Sequence, residues 1–334
     1  MTTTQPLDLL GEARRPFAAH AGMARAFPGG RMTVGAITPL EGYDGRLVPT
    51  MADHTERVRQ AEQVGFASVW VRDVPLADPH FGDAGQVFDP WVYLGYLAAH
   101  TGSVTLGTAS TVVPLRHPLH TAKGAASVDQ LTGGRMLLGV ATGDRPVEFP
   151  AFGLDAEARG ERFRDALAYF HAALENHFPV IRSPLGTMGG TTDLIPKPVY
   201  DRIPVLMTGR GRQEVEWIAE NTDGWMYYTP PLEQQRMVIA QWRRLTDGTG
   251  ERGFKPFSQA TVLDLDEQPD APPRRIHQGF TVGRNALLEM LTAWQGIGID
   301  QLMINFKHNR RPVADVLAEL GEYVLPHFPP GEVT

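Results

Sequence analysis

The residues Thr208-Gly209-Arg210-Gly211-Arg212-Gln213 join a short apolar run, Pro204–Thr208, to a helical pattern over Glu214–Asn221. Two glycines let the main chain come close to a ligand. The N–H groups at a helix start and two guanidinium forks suit an anion, phosphate above all. The same residues also fit a solvated arginine pair on a turn. A place at the C-terminal end of a barrel strand favours the phosphate, because phosphate sites recur there. Thr142-Gly143-Asp144 is a second turn of this kind. It offers a hydroxyl to the same anion, or an N-capping Asp on an ordinary strand-to-helix connection.

Other chemistries lack their residues. Cysteine is absent, which removes thiolate nucleophiles, disulfides and cysteine metal sites. The 11 histidines are scattered, and no His-x-His closes the first strand-like run, against a metal-dependent hydrolase barrel. His117, shortly after the third strand-like run, is the one histidine placed to reach a barrel mouth. No Gly-x-Ser-x-Gly elbow is present, so a serine hydrolase has no support. The reactive group is then most simply an organic cofactor.

The elements that must position these turns are legible in the 334 residues. Hydrophobic residues make up 42% and charged residues 21%, a globular balance that excludes disorder. No apolar run approaches the ~20 residues of a membrane helix. A net charge of −7 without a basic run argues against nucleic-acid binding. Arginine supplies 27 of the 31 basic residues, which gives many planar forks for phosphate or carboxylate. Arg14-Arg15 suggests a twin-arginine signal, but Pro16–Gly22 lacks the about 7–15 apolar residues of an export core. A cytoplasmic protein is expected.

Eight short, β-branched or aromatic runs read as strands buried on both faces. They are Thr33–Thr38, Ser68–Arg72, Val104–Ala109, Met136–Ala141, Pro204–Thr208, Trp225–Tyr228, Ala260–Leu265 and Gln301–Phe306. Helical patterns separate them, such as Val313, Val316, Leu317, Leu320 and Val324. Asp89-Pro90 reads as a helix start and Gly65, Gly102, Gly133 and Gly298 as helix ends. The order predicts an α/β fold, a (β/α)8 TIM barrel, with a doubly wound open sheet as the rival. Residues 1–31 read as a loose N-terminal arm, 32–328 as the barrel and 329–334 as a C-terminal tail. An insertion after strand four, about 178–202, reads as a lid over the mouth, and Glu267–Gly283 as a second cover.

Gly107-Thr108-Ala109-Ser110-Thr111-Val112-Val113-Pro114-Leu115-Arg116-His117-Pro118 resembles the third-strand motif of the bacterial-luciferase-like flavin monooxygenases. Asp129-Gln130-Leu131-Thr132-Gly133-Gly134-Arg135 and Leu138–Gly143 resemble the helix end and fourth strand that follow in that family. Ile203–Met207 and Ala219–Trp225 resemble its fifth and sixth strand motifs, so the likeness runs from about Met32 to Phe328.

The resemblance implies a barrel that binds flavin mononucleotide (FMN), or in one branch a deazaflavin, at its C-terminal mouth. It implies a two-component monooxygenase that takes reduced FMN from a flavin reductase and uses O2 to oxygenate a small organic substrate. It also implies a homodimer. A non-prolyl cis peptide under the flavin ring falls on Ala109–Ser110. The phosphate falls on Thr208, Gly209, Arg210, Gly211, Arg212 and Gln213, with Thr142 beside it and Tyr228 near the ring. After strand two, Arg72-Asp73-Val74 places Val74 where many members carry a histidine with an acid/base role. Asp73, Arg72 and His80 are the candidate catalytic residues in its place. Deazaflavin-dependent hydride transfer and non-catalytic flavin binding are the alternative functions.

Overall fold

The computed structural model describes residues 9–81, 83–247 and 253–333; residues 1–8 of the expected arm and 334 of the expected tail lie outside them. The helix α1 (Ala21–Ala26) precedes β1 (Thr33–Ile37), α2 (His54–Val64), β2 (Ser68–Val71), α3 (Pro90–Ala98) and β3 (Thr105–Thr108). The two-residue β4 (Thr111–Val112) leads to α4 (Pro118–Thr132), β5 (Met136–Ala141), the short α5 (Glu148–Ala151) and α6 (Arg159–Glu175). A hairpin of β6 (Val180–Ser183) and β7 (Gly186–Gly189) comes before β8 (Val205–Thr208), α7 (Val215–Asn221), β9 (Gly224–Tyr228) and α8 (Leu232–Thr246). The chain ends through β10 (Phe257–Leu265), β11 (Arg274–Ile276), β12 (Gly279–Val282), α9 (Arg284–Gly296), β13 (Gln301–Asn305) and α10 (Val313–Tyr323).

Among the described residues, eight parallel strands close on themselves in the order β1-β2-β3-β5-β8-β9-β10-β13, and β13 returns to β1 from Thr33↔Gln301 to Ile37↔Asn305. This is the (β/α)8 barrel expected from the sequence. The strand positions agree to within a residue or two except in β10, which starts at Phe257 rather than Ala260. Polar Ser258 and Gln259 hide that start, yet they pair with Met226 and Tyr227 of β9. Asp89 caps α3 as expected, accepting from the N–H groups of Trp91 at 2.9 Å and Val92 at 3.2 Å.

The barrel interior is filled chiefly by one side chain. Trp70, fully buried, belongs to an apolar cluster with Ile37, Leu137, Leu206, Met226 and Met303. Glycines flank it because nothing larger fits. A Cβ on Gly107 would lie 2.5 Å from the Trp70 ring, and one on Gly35 would lie 2.3 Å from Ser68 Oγ. The indole N–H donates to Ser68 Oγ at 2.7 Å and Gln301 Oε1 at 3.0 Å, so the buried ring leaves no polar atom unpaired.

The described part of the arm, residues 9–31, packs on the barrel. Ala26 and Phe27 are buried in the same cluster as Trp70 and close the barrel floor. Thr33 Oγ1 donates to Ala26 O at 2.6 Å, Gln301 Nε2 to Ala26 O at 3.2 Å and Thr105 Oγ1 to Gly22 O at 3.2 Å. Phe17 lies under the Arg202 guanidinium at 3.5 Å. The tail joins this floor through Gly331 N to Arg25 O at 2.9 Å.

The insertion is not a lid. It follows α6 rather than β5, so it starts where that helix has already carried the chain away from the mouth. Its hairpin packs Ile181 and Met188 against Tyr169 and Ala173 of α6. His117 supports that packing and does not face the mouth: its Nδ1 accepts from Leu119 N at 3.2 Å and its Nε2 pairs with Leu185 O at 2.9 Å. No helix among the described residues is long and apolar enough to cross a membrane.

The Trp70 contact predicts a stability effect. Gly107→Ala lowers the unfolding free energy by ~1–3 kcal/mol, since the added methyl forces the indole or strand β5 to move. Urea unfolding of the variant checks this, and an unchanged midpoint removes Trp70 as the filler of the interior.

Candidate functional site

At the C-terminal end of the barrel the strands open into a cavity of about 390 Å³. Ile37, Ala109, Met226 and Met303 reach it from the strand ends, directly above the Trp70 cluster. Arg72, Asp73, Ala109, Ser110, Thr142, Thr208, Gly209, Arg210, Gly211 and Tyr228 all line it, so the structure gathers most of the residues singled out from the sequence. Three do not belong to its wall. His80 has a side chain 97% exposed beside Asp78, on a loop too far out to serve the mouth. Arg212 turns outward to Glu157, with Nη1 at 3.1 Å from Oε2. Gln213 is buried, and its amide is engaged with Gly160 O at 3.0 Å and Arg164 at 3.1 Å. It holds α6 to the turn and offers nothing to a ligand.

The turn after β8 has the form of an anion cradle. Gly209 and Gly211 sit at φ 61° and 53°, a region open to glycine, and a Cβ on Gly211 would meet Met207 Cε at 1.9 Å. The main-chain N–H groups of Arg210, Gly211 and Arg212 find no acceptor among the described residues. Arg210 has no ion-pair partner among the described residues. The helix α7 begins only at Val215, so the cradle is the loop itself. Trp225, which sequence reasoning left as a strand residue, fixes it from below by donating Nε1–H to Gly209 O at 2.6 Å.

The peptide Ala109–Ser110 is cis, as the resemblance implied. It lies between β3 and β4, and Ser110 Oγ hydrogen-bonds Thr208 Oγ1. Thr142, nearly buried, stands beside Gly211. Gln278 joins the wall from the turn between β11 and β12, so the Glu267–Gly283 segment does cover one side of the mouth.

The opposite wall is built from charge. Asp73, 6% exposed, accepts from Arg116 Nε at 2.9 Å and Nη2 at 2.8 Å, and from Val112 N at 3.1 Å. Arg116 also reaches Asp89 at 2.9 Å, at the start of α3. Asp73 is therefore a clamp between β2, β4 and α3 rather than a free carboxylate. Arg72 is likewise engaged, with Nη1 2.5 Å from Asp83 Oδ2, while Tyr43 Oη donates to Asp83 Oδ1 at 2.8 Å. Burial alone would raise the Asp83 carboxyl. The Arg72 charge and the bonds from Gly85 N, Arg72 and Tyr43 outweigh it and hold the group down at about 2.

Two further residues of this wall were not singled out from the sequence. Arg145, 3% exposed, donates Nη2–H to Asp83 O and lies over the Phe81 ring at 4.2 Å. Glu148, 1% exposed, opens α5. Burial pushes its carboxyl up to about 7; Arg145 opposes this, and Asp73, Asp144 and Asp78 add to it. Arg145 Nη1 and Glu148 Oε1 are buried without a partner. Among the described residues no cluster of three or more acidic or histidine side chains is placed to hold a metal.

A group whose folded pKa is depressed contributes stability above its unfolded pKa and loses it as pH falls through the folded value. For Asp83 that window runs from about 4 down to about 2. Stability therefore falls with acid over this range, and Asp83→Asn flattens the fall. Thermal unfolding from pH 5 to pH 2 checks this; an equal slope in the variant contradicts the ion-pair assignment.

The model of the luciferase-like monooxygenase family matches residues 29–268. An uncharacterized protein of Mycobacterium tuberculosis is 29% identical over 239 residues, 67% of this chain and 83% of its own. The monooxygenase RslO1 of Streptomyces bottropensis has a similar fold, with a TM-score of 0.73 at 18% identity over 89% of this chain and 100% of its own. A coenzyme F420-dependent tetrahydromethanopterin reductase of Methanopyrus kandleri has a TM-score of 0.69 at 16% identity, over 89% and 99% of the two chains. With nearly three quarters of its length matched by that model, the chain belongs to the luciferase-like monooxygenase family and is an oxidoreductase.

Proposed function

We propose that the protein is a flavin-dependent monooxygenase that binds reduced FMN in the mouth of its barrel and oxygenates a small organic substrate with O2. A separate reductase is the source of the reduced flavin. The observation that carries this reading is the turn after β8, where acceptor-free N–H groups stand beside an arginine with no counter-charge. A phosphate monoester answers both needs. The residues present fit the group: Arg210, Gly211 and Arg212 N–H with the Arg210 guanidinium would hold the phosphate beside Thr142 and Thr208, and the Ala109–Ser110 peptide would support the ring. Bound reduced flavin supplies two electrons and the centre at which O2 is activated.

The chain's own tasks are binding, orientation and exclusion of water. Ile37, Met226 and Met303 give the cavity an apolar floor, which keeps water from the reacting atoms. Tyr228 stands at the rim, and the buried Asp73–Arg116 clamp fixes the neighbouring backbone at Val112. Exposed Phe88, Val92 and Tyr96 at α3 support a homodimer, since apolar side chains grouped on one helix face favour association. A second reading, hydride transfer with a deazaflavin, is supported by the fold shared with the F420-dependent reductase.

Absorbance titration with FMN, reduced FMN and F420 separates the two readings. FMN binding with negligible F420 binding is the expected result, and F420 binding alone overturns the monooxygenase reading. Arg210→Ala weakens FMN binding by ~1.5–3 kcal/mol, the range of a charge-assisted hydrogen bond. Equal affinity in the variant removes Arg210 from the phosphate site.

A further inference from the structure

The mouth contains two polar side chains that the flavin reading does not use. Arg145 is fixed at one end of its guanidinium by Asp83 O and by the Phe81 ring, while Nη1 has no partner. Glu148 is buried three residues later, and its Oε1 has no partner either. No ion pair joins the two within 4.0 Å. Both residues belong to the cavity wall, on the Asp83 side and away from the β8 cradle. A buried donor or acceptor left unpaired costs roughly 1–3 kcal/mol. Two such atoms in one wall of a cavity point to a ligand group that completes them.

The surrounding charges define that group. Asp73 and Asp83 are neutralised by Arg116 and Arg72. Arg145 makes no ion pair with a described residue, although Glu148 and Asp144 on its own loop lie near enough to act on its charge. Resting on the flavin reading for the identity of the site, we propose that Arg145 and Glu148 form the receptor for a carboxylate on the substrate. The guanidinium Nη1 donates to one carboxylate oxygen and the protonated Glu148 carboxyl donates to the other. A phosphate dianion suits this wall less well than a carboxylate, because the Asp144 and Asp78 carboxylates near Glu148 oppose its second charge. A neutral substrate would leave the guanidinium unanswered.

The arrangement makes binding depend on pH. The groups that face Glu148 are Arg145 and Asp144 on its own loop, and Asp73, held by Arg116, and Asp78 on the loop after β2. Burial outweighs Arg145 and keeps the carboxyl protonated up to about 7. Below that value it is a donor to the substrate, and above it a second negative charge.

Calorimetric titration with benzoate and its neutral isostere benzamide tests the receptor, in the flavin-free protein and with FMN bound. Benzoate is expected to bind about tenfold more tightly at pH 6 than at pH 8, following the protonation of Glu148, and benzamide to bind more weakly with no such dependence. Arg145→Gln loses at least about tenfold in benzoate affinity, as one charge-assisted bond requires, and holds FMN affinity within about twofold. Glu148→Gln stays a donor at both pH values, so its benzoate affinity is the same at each. Circular dichroism confirms that both variants fold. Absence of benzoate binding at either pH, unchanged affinity in Arg145→Gln, or a pH dependence that survives in Glu148→Gln overturns the proposal. Loss of FMN affinity in Arg145→Gln with benzoate unaffected also overturns it, by giving the cation to the cofactor. The benzoate pattern without any flavin binding supports the receptor and sinks the flavin reading alone.

Discussion

The interior of an eight-stranded barrel must be filled, and here one indole does most of the filling. Trp70 projects from β2 into the middle of the barrel, and the strands beside it carry glycine where a side chain would collide. Its N–H is tied to Ser68 and Gln301, so the ring is fixed in rotation as well as position. The cavity at the mouth has an apolar floor because this plug ends where it does. Ile37, Met226 and Met303 sit on top of it, and the arm seals it from below. Depth of the mouth, smallness of the flanking residues and closure of the floor are consequences of a single packing solution.

Above the plug, the two walls of the mouth are built on different physics. The β8 side offers main-chain N–H groups and a guanidinium without an ion pair among the described residues, groups that suit an anion. The β2 side contains more formal charge, yet nearly all of it is internally matched. Asp73 holds Arg116, and Asp83 holds Arg72 and Tyr43. Matched pairs fix loops in place and present little net field. Against that quiet background two unmatched groups, Arg145 and Glu148, stand out. Removing water from the mouth strengthens whatever they bind.

The eight strands were legible because parallel strands buried on both faces must be apolar throughout, and β1, β5 and β8 are. The turn at Gly209 and Gly211 was legible because its backbone angles exclude most other residues. Other features were not, for reasons that lie in tertiary contact. Arg210 and Arg212 look alike in the sequence, and only the nearness of Glu157 sends one outward. His80 follows strand two closely in sequence, yet its side chain is exposed beside Asp78 and outside the cavity wall. Glu148 reads as an ordinary first-turn acid of a short helix. Its significance appears only once β5 and the loop after β2 are brought around it. Counting from strand four reads the segment at 178–202 as a lid, whereas α6 lies between that strand and the hairpin and carries the chain to the other end of the barrel.

The floor has a consequence for how the chain matures on the ribosome. Ala26 is made early, and its carbonyl is bonded by Gln301, 275 residues later. The seam between β1 and β13 therefore cannot be latched until almost the whole chain has emerged. Contacts of such separation are slow to form. Through that interval the arm already covers the lower end of the strands made first, through Thr33 and Thr105. The bonds from Thr33 and Thr105 to the arm join residues that are close in the chain, whereas the one from Gln301 joins its two ends.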